Sequence, residues 1–238
     1  MRVTAVIPAL DEEEAIAGVV RAVRSALVSE VIVVDNGSTD CTAERARRAG
    51  ARVVSQPLRG YGRACRAGVD AASSLAEVLV FLDGDGSDCP EVMDRLLAPL
   101  EAGTHDFVIG SRIRGQREPG SMNRAQLLAG VLAGVSLRLL YGVRYTDMCP
   151  FRAIRREALL GLEMREETYG WNLEMQMKAA RAGLRILEIP VPHRKRAGGS
   201  SKVSGDLVAT VKASGRIFWT LARGALAKPR GADASPLR

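Results

Sequence analysis

The chain has 238 residues, 47% of them hydrophobic, enough for one sizeable domain that folds alone. A formal net charge of +7 suits a partner carrying phosphate or an anionic membrane surface, while 4% aromatic residues, with no Arg/Lys run interleaved with stacking rings, argue against a nucleic-acid platform. No apolar run reaches the roughly 18 residues of a membrane span, and the first eight residues are too soon interrupted to be a signal peptide.

In chain order, residues 3–7 read as a first strand. Residues 12–27 follow as a helix, with Ile16, Val19, Val20, Val23 and Leu27 at helical spacing. Residues 31–34 form a second strand, Ser38 or Thr39 caps a helix running to Ala49, residues 51–54 are a third strand, and 60–75 are helical. Residues 78–82 are a fourth strand. Pro90 suits a first helical position, so 91–102 is a helix, followed by a strand over 106–110. This alternation predicts an α/β fold of βαβ units around a mostly parallel sheet flanked by helices. Beyond residue 110 the rhythm stops. A polar loop over 111–120 leads to a long apolar helix over 123–141, a stretch over 146–153, a short helix over 155–160, a helix over 171–181 and a last strand over 185–191. Residues 203–225 have the pattern of an amphipathic helix carrying Leu207, Val208, Val211, Ile217, Phe218 and Leu221, and the Pro-, Gly-, Ala- and Ser-rich residues 228–238 read as a disordered tail. Cys41, Cys65, Cys89 and Cys149 are widely spaced, without a C-x-x-C pair, and read as reduced thiols of a cytoplasmic protein.

Three polar clusters fall after expected strands, where ligands of open α/β sheets gather. They are Pro8-Ala9-Leu10-Asp11-Glu12-Glu13, Asp35-Asn36-Gly37-Ser38-Thr39-Asp40, and Asp83-Gly84-Asp85. Asp83 and Asp85, one residue apart after a buried strand, suit a divalent cation bridging to a diphosphate, with the glycines letting phosphates approach. An ordinary polar turn is the competing account. Neither a Gly-x-Gly-x-x-Gly opening nor a Gly-Lys-Ser/Thr loop is present, which argues against dinucleotides and P-loop hydrolysis. Residues 193–202 bring Arg194, Lys195, Arg196 and Lys202 beside glycines and Ser200 and Ser201, as either a solvated basic face or a loop closing over anionic oxygens.

Together with Gly110-Ser111-Arg112, Thr146-Asp147, Phe151-Arg152 and Arg196-x-x-Gly199-x-Ser201-Lys202, these clusters resemble the family 2 glycosyltransferases of the GT-A fold, over roughly residues 3–205. Within that family they are most similar to the dolichyl-phosphate mannosyltransferase-like and related polyprenyl-phosphate enzymes. The resemblance implies a Rossmann-like, mostly parallel sheet with a C-terminal acceptor-side subregion: one domain over 1–227, with a nucleotide-sugar half to residue 110, an acceptor half over 111–205 and a C-terminal helix over 206–227. It implies that Pro8, Ala9, Asp11, Glu13 and Asp35 line the nucleoside pocket, and that Asp83, Gly84 and Asp85 meet the diphosphate, with Mg²⁺ or Mn²⁺ on Asp83 and Asp85. Two positions depart from the family pattern: Asn36, where relatives often have an acid, and Pro150, where they have a glycine. Many relatives also carry membrane helices after the catalytic domain, and no such run follows here.

Transfer from a UDP- or GDP-sugar would proceed by direct displacement and invert the anomeric centre, as the resemblance also implies. Cations stabilise the departing nucleoside diphosphate. Arg112, Arg194, Arg196, Ser201 and Lys202 are the candidates for binding donor or acceptor phosphate. A hydroxyl acceptor needs a general base, for which Asp147 is preferred to Glu174; an acceptor phosphate attacks without one. The expected acceptor is a polyprenyl phosphate at the cytoplasmic membrane face, with a soluble small-molecule acceptor as the alternative and nucleotidyl transfer as a remoter one. The apolar helix over 127–141 fits burial or a peripheral membrane contact, the helix over 203–225 a second anchor or a homodimer contact. Trp171 reads as core, and His105 and His193 as structural or surface residues.

Overall fold

The structure is a computed structural model that describes residues 1–23 and 28–198. Its strands are β1 (Val3–Ala9), β2 (Val28–Asp35), β3 (Arg52–Ser55), β4 (Val78–Phe81), β5 (Phe107–Ser111), β6 (Arg152–Arg155) and β7 (Ile186–Pro190). Its helices are α1 (Ile16–Val23), α2 (Thr42–Arg48), α3 (Tyr61–Ala71), α4 (Met93–Glu101, after a tight turn at Pro90–Val92), α5 (Arg124–Tyr141), α6 (Arg156–Gly161) and α7 (Trp171–Arg181). The strands form one sheet in the order β3-β2-β1-β4-β6-β5-β7. The runs of β1 and β4 are buried along their whole length, as expected for central strands covered on both faces. Trp171 packs against Phe81 with ring centroids 6.5 Å apart, a core contact, and Arg152 is fully buried over Phe107, its guanidinium donating to the carbonyls of Cys149 and Asn172.

The strand missing from the sequence reading is β6, which lies antiparallel to both β4 and β5, with Phe81 opposite Arg152 and Ile109 also opposite Arg152. Only four residues long, it lacks the turn signals that mark the other strands, so its pattern does not stand out in the sequence. Its direction has a consequence for function. Because β6 runs against its neighbours, the loop entering it, residues 146–151, reaches the same sheet edge as the loops leaving β1, β2, β4, β5 and β7.

Three helices are shorter than expected. The expected helix over 12–27 begins at Ile16, because Asp11 takes a positive φ of 51° and residues 11–13 are tied by hydrogen bonds to Ser38, Thr42 and Asp40. Leu27 lies outside the described residues. Helix α2 starts at Thr42, since Ser38 and Thr39 are drawn to Asp35 and Asp11 instead of capping it. Helix α3 ends at Ala71, where Ala72 turns extended. The expected amphipathic helix over 203–225 and the tail over 228–238 lie outside the described residues. All four cysteines are free thiols, and among the described residues no helix is long and apolar enough to cross a membrane.

Candidate active site

The loops after β1 and β2 hold each other. Asp11 accepts from the Thr39 amide at 2.7 Å, the Asp11 amide donates to Ser38 Oγ at 3.0 Å, and Asp35 accepts from the Ser38 amide at 3.0 Å. Glu13 accepts from the Cys41 amide and pairs with Arg45 at 3.2 Å. Burial pushes the Asp40 carboxyl up, but the hydrogen bonds from the Thr42 hydroxyl and amide and the Glu13 amide together outweigh it and hold the group below its usual range. Asn36 donates to the carbonyls of Gln56 and Leu58 and accepts from the Gly60 amide. A carboxylate could not donate those two bonds, which gives the departure at this position a structural reason. Pro8 and Ala9 lie against Gly84: a Cβ added there would stand 3.3 Å from the Pro8 carbonyl and 3.4 Å from Ala9 Cβ.

The loop after β4 concentrates negative charge. Asp83 is half-buried, and Asp85 and Asp88 are buried. Asp85 Oδ1 accepts from the amide and hydroxyl of Ser87, which turns its Oδ2 toward Arg196; Asp88 Oδ2 accepts from the Asp83 amide at 3.0 Å. Burial, and then the charges of Asp88 and Asp85, push Asp83 well above the usual carboxylate range. Burial pushes Asp88 up to about 7 despite the bond from the Asp83 amide, with Asp85 adding to the push. Crowded buried carboxylates favour protonation or a cation. Asp88 was not among the sequence candidates, although the D-x-D-x-x-D spacing carries it.

Residues 191–198 strap across these acids. The Arg194 amide donates to the Ser87 carbonyl and the His193 amide to the Gln116 carbonyl, so the segment joins the loop after β4 to that after β5. Arg196 places its guanidinium 3.1 Å from Asp85 Oδ2 and 2.6 Å from Glu12 Oε1, while the Ala197 amide donates to the Asp85 carbonyl. Arg194 pairs with Glu91 at 3.1 Å, toward solvent. His193 is buried, with Nδ1 3.9 Å from Asp88 Oδ1, and burial followed by the Arg112 charge lowers its pKa to about 4, so the imidazole is neutral at pH 7. Nothing at the sequence level tied His193 to Asp88. Ser201 and Lys202 lie outside the described residues.

On the acceptor side, Arg112 clasps Asp147 with a fork: Nε to Oδ2 and Nη2 to Oδ1, both at 2.8 Å, and the Arg112 amide also donates to Oδ2 at 2.9 Å. Burial would raise the Asp147 carboxyl, but the Arg112 bonds and charge hold it below the usual range. Glu188 on β7 accepts from the Thr146 and Asp147 amides and the Thr146 hydroxyl, positioning this loop. Thus Asp147 is placed to brace Arg112, and a carboxylate so paired is a poor proton acceptor. Glu174 serves a different place: it accepts from the amides of Arg165 and Glu166 and pairs with Lys178 at 2.9 Å, so its oxygens pin the loop before α7.

Among the described residues no three His, Cys, Asp or Glu side chains form a cluster that would hold a metal by themselves. Hard carboxylate oxygens with surplus negative charge nevertheless suit Mg²⁺ or Mn²⁺, which commonly takes one or two carboxylates and completes its shell with substrate phosphates. The acids of the β4 loop fit that incomplete protein contribution.

Residues 4–161 match the family described as Glycosyl transferase family 2. The chain is similar to an uncharacterised glycosyltransferase of Mycobacterium tuberculosis, 38% identical over 88% of this chain and 93% of that one. It is also similar to an undecaprenyl-phosphate mannosyltransferase of Micrococcus luteus, 32% identical over 87% of this chain and 90% of that protein. Among solved structures it resembles the glucosyl-3-phosphoglycerate synthase of M. tuberculosis in complex with Mn²⁺, uridine-diphosphate-glucose and phosphoglyceric acid, with a TM-score of 0.77 and 27% identity, over 97% of this chain and 82% of that one.

Proposed function

Because the chain belongs to glycosyl transferase family 2, and is an enzyme of the nucleotide-sugar-dependent, GT-A class, we propose that it moves a hexose from a UDP- or GDP-sugar to a polyprenyl phosphate with inversion at the anomeric carbon. The observation that carries this reading is the facing of two charge groups at one sheet edge: Asp83, Asp85 and Asp88 after β4, and Arg112 and Arg196 from the loops after β5 and β7. Pro8, Ala9, Asp11, Glu13 and Asp35 frame the nucleoside pocket, on loops already fixed by their mutual hydrogen bonds.

Asp83 and Asp85 would hold the divalent cation, which supplies charge neutralisation for the diphosphate leaving group. The chain's own residues do the rest. Arg196 is shared between Asp85 and Glu12 in this structure, and a diphosphate entering beside them competes for its guanidinium, drawing the 194–198 strap onto the donor. Closure of that strap removes water that would otherwise hydrolyse the sugar. Arg112, aimed by Asp147, uses two of its five N–H donors in the fork and would offer others to the acceptor phosphate. Such an acceptor arrives as an anion and attacks without a base, which agrees with Asp147 being committed to Arg112.

The Micrococcus relative, named for an undecaprenyl-phosphate acceptor, supports the lipid reading. The solved neighbour, with phosphoglyceric acid in its complex, supports a second one, in which the acceptor is a small phosphorylated metabolite. On either reading Arg112 would meet the acceptor's phosphate. The test is to incubate the protein with Mn²⁺ and a panel of UDP- and GDP-sugars, adding either polyprenyl phosphate in vesicles or soluble phosphorylated acceptors, and to measure nucleoside diphosphate release. Turnover that needs the lipid supports the first reading, turnover with a soluble acceptor supports the second, and no turnover with any pair overturns both.

A further inference from the structure

Helix α5 is built inside out for a protein surrounded by water. Its inward face is made of small residues with one Leu: Gly130, Ala133, Gly134 and Leu137 are buried. The approach is close enough that a Cβ on Gly134 would stand 2.2 Å from the Tyr145 carbonyl. The opposite face carries Leu128, Val131, Leu132, Val135 and Leu139, spaced three or four residues apart in one stripe, and all are exposed, Leu139 at 81%. Leu140 is exposed beside them. A contiguous stripe of large aliphatic residues turned outward marks an interaction surface.

We propose that this stripe is the face on which the enzyme rests against an anionic lipid bilayer. Charge favours lipid over a second copy of the chain. No acidic residue lies between Glu118 and Asp147, whereas Arg138, exposed at the edge of the stripe, and Arg144, exposed just beyond the helix, border the apolar surface. Anionic headgroups neutralise such a rim, while a second α5 brings only another Arg138 and no acid to meet it. The helix is too polar to be a span, and the capping box of Asn123 with Gln126 and the left-handed Gly142 end it at the surface of the fold, as suits an element lying in the interface plane.

Position connects this face to the reaction. At Gly130, α5 packs on Ile113 and on the backbone of Thr146 and Asp147, the residues next to and paired with Arg112. Resting on the bilayer through α5 would therefore bring Arg112 near the headgroup layer, where a lipid-linked phosphate is presented. This second step rests on the polyprenyl-phosphate reading; the bilayer contact itself does not.

The test is co-sedimentation of the full chain with vesicles of phosphatidylcholine containing 30% phosphatidylglycerol. The wild type is expected to pellet with these vesicles, and the double substitution Leu132→Glu with Leu139→Glu to weaken binding at least tenfold without lowering the melting temperature. A Leu139→Trp variant should show a blue-shifted emission on adding vesicles. Overturning results are a wild type that stays in the supernatant, an unshifted Leu139→Trp, or a wild-type dimer that the glutamates split while vesicle binding is unchanged; the last assigns the face to a second copy. Transfer to a short, water-soluble isoprenyl phosphate separates the two readings. If it persists while vesicle binding fails, the surface assignment falls and the function stands; if vesicle binding holds but no phosphate acceptor is used, the surface stands and the function falls.

Discussion

Two sets of carboxylates meet at the same sheet edge and are treated in opposite ways. Asp147 is buried and fully matched by the Arg112 fork, which holds it ionised. Asp83 and Asp88 are crowded with Asp85, and their pKa values stay raised although the Arg112 charge reaches them; among the described residues, the arginine paired directly with this group, Arg196, comes from a strap shared with Glu12. Matched charge makes a scaffold. Unmatched charge makes a seat for something that arrives from outside.

The sharpest way to test that contrast is to remove one acid from each set. Asp85→Asn should lower transfer by about 10³-fold, the scale of losing one electrostatic group that stabilises developing charge, and should leave the melting temperature nearly unchanged. Asp147→Asn leaves the half-buried Arg112 without the carboxylate of its fork and should destabilise the fold by about 2–3 kcal/mol, read by chemical denaturation. Equal effects of the two on stability would break the contrast.

The second set also predicts an unusual sign. Asp88 has its folded pKa raised to about 7 from an ordinary 3.8. Between those values the unfolded chain has released this proton and the folded chain has not, so this group's contribution makes stability fall as pH rises, and the loss is complete above about 7. Asp88→Asn should therefore stabilise the protein at pH 8 by on the order of 1–2 kcal/mol, with the gain shrinking toward pH 4. A destabilised variant at pH 8 would show that the crowding is not felt. By the same linkage, binding of Mn²⁺ with nucleoside diphosphate should release protons and strengthen as pH rises through 7, which calorimetry in two buffers of different ionisation heat will detect.

A smaller effect is expected from the strap. Arg196→Ala should reduce transfer by about tenfold while strengthening nucleotide-free Mn²⁺ binding, because the side chain both attracts the donor and occupies Asp85 beforehand. A variant that loses activity without any change in metal affinity would remove the competition from the account.

Much of this architecture is legible in the sequence because the first half is a run of local patterns. The β-branched strands, the helical spacing of Ile16 to Val23 and the polar clusters at strand ends are all readable within short windows. What is not legible is long-range pairing. Nothing near β6 announces that it will run antiparallel between β4 and β5 and so bring Asp147 to the edge where β4 and β5 end. Asp147 reads as a free acid until its partner Arg112, 35 residues earlier, is seen across the loop. Glu188 and His193 are likewise ordinary residues in the sequence and acquire roles only when β7 joins β5 and its exit crosses the β4 loop. The apolar residues of α5 fit burial or a membrane contact equally well by composition, and only the burial of its glycine face shows which side is turned out.

The central claim is that the β4 acids take up a divalent cation together with a nucleoside diphosphate. The direct measurement is Mn²⁺ binding by electron paramagnetic resonance, with and without UDP or GDP, in the wild type and in Asp83→Asn with Asp85→Asn. Tight uptake of Mn²⁺ is predicted in the wild type when one of the two nucleotides is present, with near-complete loss in the double variant at unchanged fold. Equal uptake by both proteins, or none by the wild type with either nucleotide, would contradict it.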